Sequence, residues 1–71
     1  MLIRYTRHSR NRMRLWRISE DAIAEVVATG RREVDKVAGR RRAVKEVAGM
    51  RLVVVFVQEG QDIRIISVWP A

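Results

Sequence analysis

The chain has 71 residues, enough for one domain spanning 1–71, and carries 15 Lys and Arg against 8 Asp and Glu, a formal net charge of +7. A hydrophobic content of 48% is too high for a disordered basic tail. With no Cys and a single His, His8, the sequence excludes disulfides, thiol nucleophiles, zinc–thiolate sites and multi-histidine cages, and no metal or other cofactor is expected.

Leu2 to Thr6 is expected to form a short first strand, and His8 to about Trp16 a short helix. Ser19 then reads as an N-cap. Glu20 and Asp21 stand in the first turn, where the helix dipole favours anions. Ile18 and Ile23 occupy the positions of a hydrophobic staple, Ile23, Val26 and Val27 form the apolar stripe, and Gly30 is expected to end the second helix as a C′ glycine. Beyond Gly30 two patterns compete. Valines at helical spacing in Arg32–Gly39 and Arg42–Gly49 allow one long helix, but glycines at 30, 39 and 49 each cost about 1 kcal/mol inside a helix. Two short strands joined by glycine-containing turns are therefore expected. Met50 to Gln58 and Asp62 to Trp69 read as strands around a Glu59-Gly60-Gln61 turn, with Pro70 as a stop. The fold class is α+β, ordered β-α-α-β-β-β-β, with two helices on a twisted antiparallel sheet.

Tyr5-Thr6-Arg7-His8-Ser9-Arg10-Asn11-Arg12-Met13 followed by Ile18-Ser19-Glu20-Asp21 resembles a family of small bacterial proteins with a strand, then H-A-x-x-R-M, then I-S before a hydrophobic stripe. Gly39-Arg40-Arg41-Arg42-Ala43, the Gly49 to Val55 run and the closing Ile66-Ser67-Val68 strand continue the likeness over nearly the whole chain. That family looks like a distant relative of RelE/ParE-type toxins. The resemblance implies the two-helix, one-sheet fold, action on RNA or the translation machinery, and an acidic antitoxin-like protein partner. Where the family has Arg-Gly before Ile-Ser, this chain has Trp16-Arg17, so Arg17 is expected to adopt the glycine's left-handed conformation at a cost. The C-terminal strand offers Arg64, Ser67 and Trp69 where RNA-cutting relatives often carry Tyr or His.

Residues 1–17 hold six Arg and no acid. At about 100° per residue, Arg7, Arg10, Arg14 and Arg17 fall within an arc of roughly 80°, a guanidinium stripe suited to phosphates or an acidic protein segment. Arg40-Arg41-Arg42 follows Gly39, with Lys45 close by. The two clusters are expected to flank one sheet edge and form a joint positive field. Arg7, Arg10, Arg14, Arg17, Arg40, Arg41 and Lys45 are thus the candidate nucleic-acid-binding residues, against the plainer reading of a solvated cationic surface. With only Tyr5, Trp16, Phe56 and Trp69 as aromatics, binding is expected to follow the backbone rather than stack base by base.

His8 is the one side chain suited to general-base work near neutral pH. With Arg12 and Arg42 as cationic groups for a developing phosphorane, it forms the candidate catalytic set for metal-independent RNA cleavage, although no acid for the leaving oxygen stands out. The plainer alternative is a histidine that pins its helix to the sheet. Glu20-Asp21 is explained by the helix start, and no Gly-rich phosphate loop, serine-triad spacing or carboxylate metal cluster occurs.

In Arg51 to Gln58, Leu52, Val54 and Phe56 alternate with Val53, Val55 and Val57, and in the last strand Ile63, Ile65 and Trp69 oppose Ile66 and Val68. Both faces are apolar while two short helices cover one. An exposed apolar patch and a homodimer are therefore expected, the more so because so small a core rarely supplies more than about 3–5 kcal/mol. The longest apolar run, Leu52 to Val57, is far short of a membrane span, and the start lacks a secretory apolar region, so a cytoplasmic protein without membrane contact is expected. The functional expectation is a small basic toxin-like protein acting on RNA or the translation machinery. The alternative is a non-catalytic module that binds nucleic acid or an acidic protein within a complex.

Overall fold

A computed structural model describes all 71 residues. The elements are β1 (Ile3–Tyr5), α1 (Arg7–Trp16), α2 (Glu20–Thr29), β2 (Arg31–Val34), β3 (Arg41–Val47), β4 (Met50–Glu59) and β5 (Asp62–Pro70). The strand reading of the region after Gly30 is correct, and the long-helix alternative is not realised.

Local sequence explains both helices. Thr6 caps α1: its hydroxyl accepts from the Ser9 amide at 3.0 Å, and the Ser9 hydroxyl returns a bond to the Thr6 carbonyl at 2.8 Å. Arg17 ends the helix at φ 55° and ψ 46°, the left-handed conformation expected of it. There the Arg17 amide donates to the Arg14 carbonyl and the Ile18 amide to the Met13 carbonyl, so buried Ile18 packs back towards buried Met13 in a Schellman arrangement. Ser19 caps α2 by accepting from the Ala22 amide at 3.1 Å, with Glu20 and Asp21 behind it. Gly30 does end α2, but for a different reason from the one expected. It is extended, at φ −70° and ψ 158°, not left-handed. A Cβ there would lie 2.4 Å from the Val26 carbonyl oxygen and 3.1 Å from that of Val44, so glycine lets the helix end press onto β3.

The five strands form one sheet in the order β1-β5-β4-β3-β2. β2 to β5 make the expected antiparallel meander, whereas β1 joins β5 in parallel. The sheet is therefore mixed rather than wholly antiparallel. The two helices carry the chain from one edge to the other, so β1 meets the end of the meander and not its beginning.

Helix α1 packs on β5, and α2 on β3 and β4. Between helices and sheet lies a core of Met13, Ile18, Ile23, Val26, Val27, Ala43, Leu52, Val54, Phe56, Ile63, Ile65 and Val68. The face assignment in β5 differs from strict alternation. Phe56 pairs with Ile65 and Val55 with Ser67, which leaves Ile66 as the extra residue of a bulge. The slip puts Val68 in the core and Trp69 beside Val53 on the opposite face.

That opposite face is open to no helix, yet it is not the exposed apolar patch expected. Val44, Val53 and Val55 are only 8%, 6% and 4% exposed. Arg42 pairs across the sheet with Val55, Trp69 with Val53, and the Arg42 guanidinium lies 5.5 Å from the Trp69 ring centre. Two long side chains thus roof the valines, the stem of an arginine covering apolar surface while its head stays polar.

Candidate nucleic-acid interface

Six of the bases pair with a carboxylate within 4.0 Å: Arg4 with Asp62, Arg10 with Glu20, Arg31 with Glu33, Arg42 with Asp35, Lys45 with Glu25 and Arg64 with Glu59. Cross-strand register sorts these pairs by face. Arg4, Arg31, Arg42, Arg51 and Arg64 stand on the open face with Glu33, Glu46, Glu59 and Asp62, and Asp35 reaches the same face through Arg42. Five cations meet five anions there. The whole net charge of +7 therefore belongs to the rest of the molecule.

Helix α1 holds the largest part of it. Arg7, Arg12, Arg14 and Arg17 are exposed and have no carboxylate partner; Arg14 donates only to the neighbouring Asn11 side chain. Arg10 leaves the expected stripe. Its guanidinium bonds Glu20 at 2.8 Å and lies 4.1 Å from the Tyr5 ring centre, locking the start of α2 against β1. Burial, aided by the charge of Glu20 and Asp21 and opposed by Arg10, holds the Tyr5 hydroxyl above its ordinary pKa, so that ring stays neutral in this pair.

The second basic cluster lies elsewhere. Arg40 and Arg41 are exposed where the chain enters β3, beside the β2 edge, while α1 lies over β5 next to the β1 edge. The edges are four strand spacings apart, about 19 Å. Contrary to the expectation that both would flank one edge, the clusters lie towards opposite edges of the sheet. Lys45 is engaged as well, bonding Glu25 at 2.9 Å and the Thr29 hydroxyl at 2.7 Å.

Of the candidate catalytic residues, His8 and Arg12 stand one helical turn apart on α1, both exposed. Arg42 lies on the open face, bonded to Asp35 at 2.9 Å. His8 Nε2 shares a 3.1 Å hydrogen bond with the Ser67 hydroxyl, at the stretch of β5 that β1 leaves unpaired. This contact joins residues 59 apart in sequence, and no local pattern announces it. Asp35 is a second residue without a sequence signal. Its carboxylate is 6% exposed and accepts from the Val37 amide and from Arg42. The Val37 amide bond, reinforced by Arg42 and by the nearby charge of Arg40, holds it below the usual carboxylate range.

A cavity of about 320 Å³ opens between the α1–α2 turn and the β3–β4 hairpin, lined by apolar Ile18, Ala22, Val47, Met50 and Leu52 together with Arg17, Asp21 and Glu25. No three His, Asp or Glu side chains converge as a metal site requires. No helix is long and apolar enough to cross a membrane. Comparison with models of protein families, with curated proteins and with solved structures returns no match for this chain.

Proposed function

We propose that this chain binds RNA through its phosphates on the exposed surface of α1, as a small basic toxin-like protein acting on RNA or the translation machinery. The observation that carries the reading is the placement of charge. Four arginines, Arg7, Arg12, Arg14 and Arg17, follow one exposed helix and its cap with no carboxylate to neutralise them, while the open sheet face is internally balanced. Uncompensated like charges repel one another and raise a positive field that a polyanion relieves. Guanidinium forks match phosphate oxygens, and binding them releases condensed counterions. The resemblance of the first strand and helix to the RelE/ParE-like family agrees with an RNA-directed role.

A second reading, RNA cleavage, has one specific support. Ser67 fixes the His8 ring at the surface with Arg12 one turn away, a proton acceptor beside a cation for phosphorane charge. Against it, the group in contact with His8 is a serine, and no second titratable acid accompanies the pair. That favours the non-catalytic alternative, a binding module for nucleic acid or an acidic protein within a complex.

One experiment separates these outcomes. RNA affinity is measured between 50 and 200 mM salt, and the RNA is afterwards run on a denaturing gel. Four phosphate contacts on a single strand give a slope of log affinity on log salt of about −3. A flat plot removes the phosphate-led reading. RNA shortened by the wild type but left intact by His8→Ala establishes cleavage; RNA intact with both leaves a binding module.

A further inference from the structure

Trp16 is the last residue of α1 and is 42% exposed, outside the core cluster. In a domain with so small a core, the exposed part of that indole is apolar area not used for folding. The other tryptophan shows the contrast. Trp69 has its ring under the Arg42 guanidinium, whereas no guanidinium lies over Trp16, although five arginines belong to its helix and cap. The Trp16 ring is thus an aromatic surface without an occupant inside the chain.

Its neighbours are those of a ligand track. His8, Arg12 and Trp16 recur every fourth residue on one flank of α1, about 6 Å apart along the axis at 1.5 Å rise per residue. All three are exposed, and none meets a carboxylate. Arg17 follows at the helix cap, exposed and without a carboxylate partner. Imidazole, guanidinium and indole repeat at a step comparable with that between successive phosphates of an unpaired strand.

We propose that Trp16 is a base-stacking position, and that the ligand of α1 is therefore single-stranded RNA, not a duplex. The proposal rests on the phosphate-led reading above and adds to it. Duplexes keep the faces of their bases inside the helical stack, while an unpaired strand can lay a base on an exposed ring regardless of sequence. Arg12 and Arg17 hold the phosphates on either side of the stacked nucleotide, and Trp16 supplies the preference for an unpaired strand.

The test uses the whole chain and three probes: a ten-nucleotide oligouridylate, an RNA duplex of the same length, and inorganic polyphosphate. Trp16→Ala is expected to weaken oligouridylate binding about tenfold, the effect of one base stack, while leaving duplex and polyphosphate affinities unchanged. Trp16→Phe restores most of the loss. Oligouridylate is expected to quench the wild-type tryptophan emission, polyphosphate not, and the quenching disappears in Trp16→Phe, a readout that stands even if Trp16→Ala folds poorly. Equal losses on all three probes, or unchanged oligouridylate binding and no quenching, overturn the stacking role while leaving phosphate binding in place. A wild type that binds none of the three removes both readings.

Discussion

The two faces of the sheet are built from the same kind of residue, and they end in opposite condition. Strand β4 supplies Leu52, Val54 and Phe56 to one side and Val53, Val55 and Val57 to the other, with nothing in the run to tell them apart. The first set is sealed by Ile23, Val26 and Val27 of α2 and Met13 of α1. The second is roofed by Arg42 and Trp69, held down by Asp35. Charge follows the same division. The open face balances its five cations with five anions, whereas on the helical side Arg7, Arg12, Arg14 and Arg17 have no carboxylate partner. The balanced face spends its polar groups on holding the fold, and the unbalanced one keeps them for something outside the molecule.

The largest expected effects test whether the faces differ in packing as well as in cover. Phe56→Ala, inside the helix-covered core, is expected to cost about 4 kcal/mol of unfolding free energy by denaturant titration. Val54 and Val55 are neighbours of one size on opposite faces, 0% and 4% exposed. Val54→Ala is expected to cost about 2.5 kcal/mol, and Val55→Ala about 1 kcal/mol, because long side chains on the open face can settle into the gap. Equal costs would mean that the roof of Arg42 and Trp69 is as rigid as a helix.

Removing the roof comes next in size. Arg42→Ala strips the cover from Val44, Val53 and Val55 and leaves Asp35 6% exposed without its ion partner. A loss of stability smaller than that of Phe56→Ala is expected by denaturant titration, because the Arg42 side chain is 29% exposed. The uncovered valines should also make the variant associate in sedimentation, whereas the wild type has no such patch. Acid acts on the same contact. The Asp35 carboxyl lies below its ordinary range in the folded chain, so its contribution is complete above the unfolded value of about 4 and fades as pH falls through the folded one. Asp35→Asn is expected to lose stability at neutral pH and to match the wild type in strong acid. A difference that persisted there would assign the effect to packing instead of charge.

Features set by neighbours in sequence are legible in the sequence itself. Ser19 with Glu20 and Asp21 marked the start of α2, three glycines broke the apparent long helix, and the family-like pattern around Trp16-Arg17 anticipated a left-handed residue. What failed depended on partners far along the chain. No Gly or Pro marks the bulge at Ile66, because it arises from how β4 and β5 pair, and it exchanged the expected places of Val68 and Trp69. Gly30 ended its helix as expected, yet through close approach to β3 and not through backbone conformation. The arginine stripe was half legible. Helical spacing placed Arg7 and Arg14, but only the fold could tie Arg10 to Glu20 across the helix turn, and Arg42 to Asp35 across a loop.

The smallest effect sharpens the comparison most, because it gives stability and binding opposite signs. Arg17 is a non-glycine residue at φ 55°, in a conformation costing about 1 kcal/mol that any glycine would avoid. Its guanidinium makes no ion pair and no hydrogen bond within the chain, so the fold uses the left-handed backbone of the cap but not the side chain that strains it. Arg17→Gly is expected to raise the unfolding free energy by about 1 kcal/mol. On the phosphate-led reading it also removes one contact, making the salt slope for single-stranded RNA shallower by about 0.7. A fold that tightens while its ligand loosens is what an outward-directed face predicts. Were Arg17→Gly to leave RNA binding untouched, the strained cap would belong to neither face, and the track would have to end at Trp16.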